Sequence, residues 1–172
     1  MTQIPVREGL NTLLEFLTMK GIAEACSPKR SSVWLHQRLT RKPNCRPGTF
    51  YYFNAENVDE LNRSLQEIAR DLEYSVTHLP KFHKSEKVED REECRETFRL
   101  EMLDITRYVQ SHHLADIAGI RFNRWTQLMT MSPTAHRLWF KDDHIKAIRA
   151  RVKEVARLLQ DIELVYEPIE KD

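Results

Sequence analysis

Phe53–Leu72 reads FNAENVDELNRSLQEIARDL, and Phe140–Leu159 reads FKDDHIKAIRARVKEVARLL. After Phe53 the apolar positions are Val58, Leu61, Leu65, Ile68, Ala69 and Leu72; after Phe140 they are Ile145, Ile148, Val152, Val155, Ala156 and Leu159, at the same increments. Steps of three and four along a chain place side chains on one stripe of a helix, so each stretch predicts a long amphipathic helix with one buried face. A second copy of the same spacing predicts a tandem module, and the repeat can be followed outward from the stripe in both directions.

Upstream, one constant offset aligns Leu10, Leu13 and Leu17 with Met102, Ile105 and Val109, and Ile22-Ala23 with Leu114-Ala115. A first helix is expected from about Pro5 to Lys20, with Pro tolerated in the first turn and Leu10, Leu13, Leu14 and Leu17 facing inward. In the second half Ala115 supplies a small contact and Gly119 a residue tolerant of positive φ. Leu114, Ala118, Ile120, Trp125 and Leu128 supply the apolar positions, as two steeply crossed helices require. This spacing resembles the DNA-binding helix-turn-helix superfamily. The first half departs from it, because Ser27 and Pro28 replace the glycine and apolar residue of the turn, and Trp34 falls one position later than Trp125. A longer turn is implied there. The run Trp34-Leu35-His36-Gln37-Arg38-Leu39, followed by Arg46-Pro47-Gly48-Thr49-Phe50, resembles a small uncharacterised bacterial domain family with a W-L-x-Q-R-L signature. That resemblance implies an all-α fold of nucleic-acid-binding type.

After each third helix comes a connection bearing Pro43 and Pro47 in the first half and Pro133 in the second. Both connections end in aromatic clusters, Phe50-Tyr51-Tyr52-Phe53 and Trp139-Phe140. Alternating rings suit either a short extended wing or a plug sealing the helical core, and the plug is the expected form. Trp34 and Trp125 are expected at matching core positions. Asn54 and Asp142 are suitable N-caps for the closing helices. The expected organisation is therefore all-α, with two related four-helix halves at residues 1–79 and 97–172, each containing a helix-turn-helix. A linker at 80–96, densely charged with both signs, joins them and runs into the next helix, as a plain connector rather than a mobile hinge.

The composition of the 172 residues, 41% apolar and 31% charged with four glycines, is that of a folded helical protein. A lone half would bury little surface, so packing of the halves or a homodimer is expected. No apolar run is long enough to span a membrane and the first residues show no signal-peptide segment, so a cytoplasmic location is expected. Three widely spaced cysteines, Cys26, Cys45 and Cys94, read as reduced thiols. Cys26 matches Ala118 in the repeat and reads as a small core residue. Among the histidines, His112 and His113 open a helix, one expected exposed and the other supporting packing.

The net charge of +1 hides an uneven distribution. From Ala25 to Ala55 there is no acidic residue, while Lys29, Arg30, Arg38, Arg41, Lys42 and Arg46 are basic; from Ile117 to Lys141 there is again none, with Arg121, Arg124, Arg137 and Lys141 present. Both windows cover the turn, the third helix and the following connection of their repeat, which points to a polyanionic partner, double-stranded DNA. Arg pairs with guanine and Asn or Gln with adenine in the major groove, whereas loop cations hold phosphates. On that division Arg121, Asn123, Arg124 and Gln127 are candidate base readers in the second half, and Lys29, Arg30, Ser32 and Gln37 in the first, with Arg38 beside them. Arg41, Lys42, Arg46 and Arg137 are candidate phosphate contacts. Half-sites about 34 Å apart would suit two such helices.

No glycine-rich phosphate loop, G-x-S-x-G elbow or zincin motif occurs, so no enzyme, catalytic residue or cofactor is expected. The adjacent Asp142 and Asp143 read as helix-start acids. Cys26, His36 and Cys45 lack the close pairing of a zinc site, so no metal is expected either. The expected function is DNA binding by a transcriptional regulator or mobile-element accessory factor. The alternative is a protein-interaction or oligomerisation module whose basic windows are simply solvated.

Overall fold

The computed structural model describes residues 1–79, 88–130 and 140–168. In chain order the elements are β1 (Thr2–Pro5), α1 (Val6–Leu13), α2 (Met19–Ala25), α3 (Ser32–Leu39) and α4 (Ala55–His78). There follow α5 (Val88–Tyr108), α6 (Ser111–Ile117), α7 (Phe122–Thr130), α8 (Asp142–Asp161) and β2 (Ile162–Val165). Contacts divide the chain into two compact units, Met1–Arg70 with Arg157–Asp172, and Asp71–Ala156. The divisions fall inside α4 and α8 rather than in the charged stretch at 80–96. Within that stretch 80–87 lies outside the described residues, and α5 already begins at Val88.

Every position of both stripes is buried, from Val58 to Leu72 on α4 and from Ile145 to Leu159 on α8, and so are Phe53 and Phe140 before them. The aligned residues upstream are buried in pairs as well: Leu10 with Met102, Leu13 with Ile105, Leu17 with Val109, Ile22 with Leu114 and Ala23 with Ala115. The stripe of α4 belongs to the first unit as far as Ala69, and Leu72 and Val76 belong to the second.

Local hydrogen bonds set the helix starts. Before α4, Asn54 Oδ1 accepts from the Asn57 N–H at 2.8 Å and Asn57 Oδ1 accepts from the Asn54 N–H at 3.4 Å, a reciprocal capping box. At α8 the cap is Lys141, one residue earlier than expected. Its N–H donates to His144 Nδ1 at 3.2 Å, which places Asp142 and Asp143 in the first turn, where the helix dipole favours acids.

The expected first helix from Pro5 to Lys20 is broken in two. Pro5 is the last residue of β1, α1 ends at Leu13, and α2 begins at Met19. The break has a local cause: the Thr18 hydroxyl accepts from the Gly21 N–H at 3.0 Å, capping a new helix and competing with continuation of the old one. Phe16 rather than Leu14 is buried as a result.

The described chain is mostly helical, as the all-α expectation has it, with one short two-stranded parallel sheet added. β1 pairs with β2 in the register Thr2–Ile162, Gln3–Glu163, Ile4–Leu164 and Pro5–Val165. An isolated strand pair is marginal alone, and two features support this one. Asn62 of α4 donates from Nδ2 to the Leu164 carbonyl and accepts on Oδ1 from the Leu164 N–H, both at 2.8 Å, so its amide imitates one peptide of a third strand. Gly9 of α1 lets the buried Leu164 approach closely: a Cβ there would lie 2.5 Å from Leu164 Cδ2.

Replacing Gly9 by Ala is therefore expected to destabilise the protein by about 1–2 kcal/mol, the cost of overpacking exceeding the gain in helix propensity. Urea unfolding of Gly9→Ala and of Gly9→Ala/Leu164→Val checks this, with the smaller Val restoring stability toward or above that of the parent.

Candidate nucleic-acid interface

In the first unit the acid-free window begins at the last residue of α2 and folds as a turn containing a cis Ser27–Pro28 peptide, α3, and a hairpin. The Ser31 hydroxyl starts α3 by accepting from the Trp34 N–H at 3.1 Å, and Leu35 and Leu39 form its buried side. Trp34 was expected in the core at the position of Trp125. It is only half-buried, because Leu35 takes the inward direction, and its ring instead meets Phe53 edge-on at 6.1 Å.

The connection after α3 is the extended wing rather than the expected plug. Tyr51 N–H donates to Lys42 O at 2.9 Å, Asn44 N–H to Thr49 O at 2.8 Å, and Pro43 bridges Phe50 in antiparallel fashion. Its tip is Arg46-Pro47-Gly48-Thr49, closed by Thr49 N–H to Arg46 O at 3.1 Å. Pro before a glycine at φ 75° is the sequence a type II turn requires. Phe50 and Tyr52 are exposed and only Phe53 seals the core. Arg41, Lys42 and Arg46 are all exposed along this wing, and Arg41 adopts a positive φ of 48°.

The two remaining arginines of the window are held by the fold. Arg30 donates from Nε to Glu60 Oε1 at 2.9 Å and from Nη2 to Oε2 at 3.1 Å, and Glu60 is buried. The paired hydrogen bonds raise the Arg30 pKa further. Its guanidinium also lies 5.1 Å from the Trp34 ring centre, so Arg30, expected to read bases, chiefly neutralises a buried carboxylate. Arg38 lies 4.5 Å from the Trp34 ring centre and 5.7 Å from that of Tyr51; burial and the neighbouring Arg30 lower its pKa. Lys29 is exposed at 4.0 Å from Glu24, and Ser32 and Gln37 are half-buried.

In the second unit Ile120 N–H donates to Ala115 O at 2.8 Å and Gly119 N–H to Asp116 O at 3.0 Å, with Gly119 at φ 67°. This Schellman arrangement ends α6 and turns the chain into α7. Trp125 and Leu128 are buried on one side of α7, where Trp125 meets Phe140 edge-on at 5.3 Å. Arg121, Asn123, Arg124 and Gln127 are all exposed. Arg137, Pro133 and Trp139 lie outside the described residues.

No family model, curated protein or solved structure matches the chain. Among the described residues no group of His, Cys, Asp and Glu could hold a metal ion, and no helix is long and apolar enough to cross a membrane. Cys26 is buried with its thiol pKa raised, chiefly by desolvation.

Three side chains outside or at the edge of the acid-free windows also make specific contacts. Arg7 of α1 donates from Nε to Leu39 O at 3.1 Å, at the end of α3. His144 has its pKa lowered by burial, then by Lys141 and Arg124, so it adds no charge to the α7 surface at neutral pH. His113, half-buried beside the exposed His112, accepts on Nε2 from Arg151 Nε at 2.9 Å; burial, then Arg151, lower its pKa.

Removing Arg30 leaves the Glu60 carboxylate buried and unpaired, so Arg30→Ala should cost about 3 kcal/mol of stability, read by urea unfolding. An unchanged midpoint would show that the pair is not structural.

For His113 and His144 the folded state favours the neutral ring. Their contribution is complete above the ordinary histidine pKa and is lost as pH falls below it, through the lowered folded values. Thermal unfolding midpoints should therefore fall between roughly pH 7.5 and 5.5, and the fall should be smaller in His113→Gln/His144→Asn.

Proposed function

We propose that the chain binds double-stranded DNA, with α3 and its wing as the contact surface of one unit and α7 that of the other. Each of these helices would serve as the second helix of a helix-turn-helix. The observation that carries the reading is the state of the cations in the two acid-free windows. Arg41, Lys42, Arg46, Arg121 and Arg124 are exposed and have no ion-pair partner among the described residues. Carboxylates that would repel phosphate are missing from the same stretches of sequence, so each surface presents positive charge although the whole chain is close to neutral. Asn123 and Gln127 lie on the exposed side of α7, opposite Trp125 and Leu128, with the side-chain amides that pair with adenine in a major groove.

A regulator of transcription, or an accessory factor in the movement of a DNA element, would use such a protein to hold a short sequence in a major groove. Arg121 and Arg124 would then read or clamp at α7, and Lys42 and Arg46 would hold phosphates through the wing.

Fluorescence anisotropy on pooled duplex fragments at roughly 50 and 200 mM salt tests the reading, with affinity expected to fall steeply across that range. Arg121→Ala/Arg124→Ala should weaken binding by tenfold or more and make the salt dependence shallower. Absence of duplex binding at the lower salt would overturn the proposal and favour a protein-interaction module.

A further inference from the structure

Three arginines from three parts of the first unit line one small recess: Arg7 in the first turn of α1, Arg38 in the last turn of α3, and Arg41 just beyond it. None has a carboxylate at ion-pair distance among the described residues. Arg7 uses Nε on the Leu39 carbonyl. Arg38 reaches only the Trp34 carbonyl, at 3.5 Å from Nη1, and its buried Nε has no hydrogen-bond partner among the described residues. Arg41 is fixed relative to Arg38 by its own N–H, which donates to Arg38 O at 3.3 Å. The C-terminal end of α3 carries about half a negative charge, well short of balancing three cations, and a buried donor left unmade is costly.

One carboxylate does border the recess. Glu167, two residues beyond β2, is half-buried in its wall, yet its side chain makes no hydrogen bond or ion pair among the described residues. The recess holds about 10 Å³, room for about one water molecule, so a phosphate group needs Glu167 to move aside.

We propose that Arg7, Arg38 and Arg41 form an oxyanion site that takes a phosphate group, and that Glu167 competes for it as an internal carboxylate that must withdraw before phosphate binds. On the DNA-binding reading above, on which this source rests, the phosphate belongs to the duplex backbone. Arg7, outside both acid-free windows, becomes part of the contact surface.

The test uses full-length Glu167→Gln and Arg41→Asn, the second chosen because Asn tolerates the positive φ at that position. In duplex anisotropy Glu167→Gln should bind about threefold to tenfold tighter, and Arg41→Asn about tenfold weaker, with a salt slope shallower by about 0.9, the value of one phosphate contact. Thermal unfolding in inorganic phosphate against chloride at matched ionic strength forms the second arm. There phosphate should raise the midpoint more in Glu167→Gln than in the parent, and least in Arg41→Asn. If the parent binds duplex with salt sensitivity but neither variant changes it, the oxyanion site is overturned while the DNA reading stands. If the parent does not bind duplex but phosphate stabilises in that variant order, the site stands with free phosphate as its source. If neither arm responds, both are overturned.

Discussion

Val58, Leu61, Leu65, Ile68, Ala69 and Leu72 along α4, and their counterparts from Ile145 to Leu159 along α8, have to leave water together, because a helix holds them in line on one face. Burying such a side chain contributes about 1.5–3 kcal/mol, whereas intrinsic propensity separates most residues by less than about 1 kcal/mol. The stripes therefore decide where the short helices lie, and α1, α2 and α3 have little reason to be helical without something to cover. The same constraint explains why each long helix starts with a side-chain cap, Asn57 on Asn54 and His144 on Lys141: a helix fixed by its face still needs its first N–H groups satisfied.

What was legible in the sequence is what depends on spacing. The stripes, the aligned pairs from Leu10 and Met102 to Ala23 and Ala115, and the positive φ at Gly119 follow from periodicity and from the one residue that accepts that backbone. What was hidden depends on single polar contacts or on partners remote in sequence. Thr18 starts a new helix where the leucine spacing would have continued the first. Adjacent Trp34 and Leu35 both fit the apolar pattern, and only packing shows that Leu35 points inward. The pairing of Thr2–Pro5 with Ile162–Val165 leaves no local signal, because its outer edge is satisfied by the amide of Asn62, on a helix far from both strands in sequence.

The basic windows show how charge counted along a chain differs from charge presented on a surface. Arg30 and Arg38 belong to the first window by sequence, yet one neutralises Glu60 and the other lies over the rings of Trp34 and Tyr51. Arg7 belongs to neither window and reaches the end of α3. An arginine can serve the fold through its planar face and its paired donors, which lysine cannot. That difference separates the structural cations from those left in solvent. The wing completes the division, since its Pro-Gly tip carries Arg46 outward together with the exposed ring of Phe50.

The parallel pairing of β1 with β2 also fixes an order of events in the cell. The first unit joins Met1–Arg70 to Arg157 onward, whereas the second lies wholly between them, from Asp71 to Ala156. As the chain leaves the ribosome, all of the second unit has emerged before Leu164 can reach Gly9 and the Asn62 amide. The unit begun before the other is thus finished after it, and until then β1 lacks its strand partner and Gly9 the side chain it makes room for.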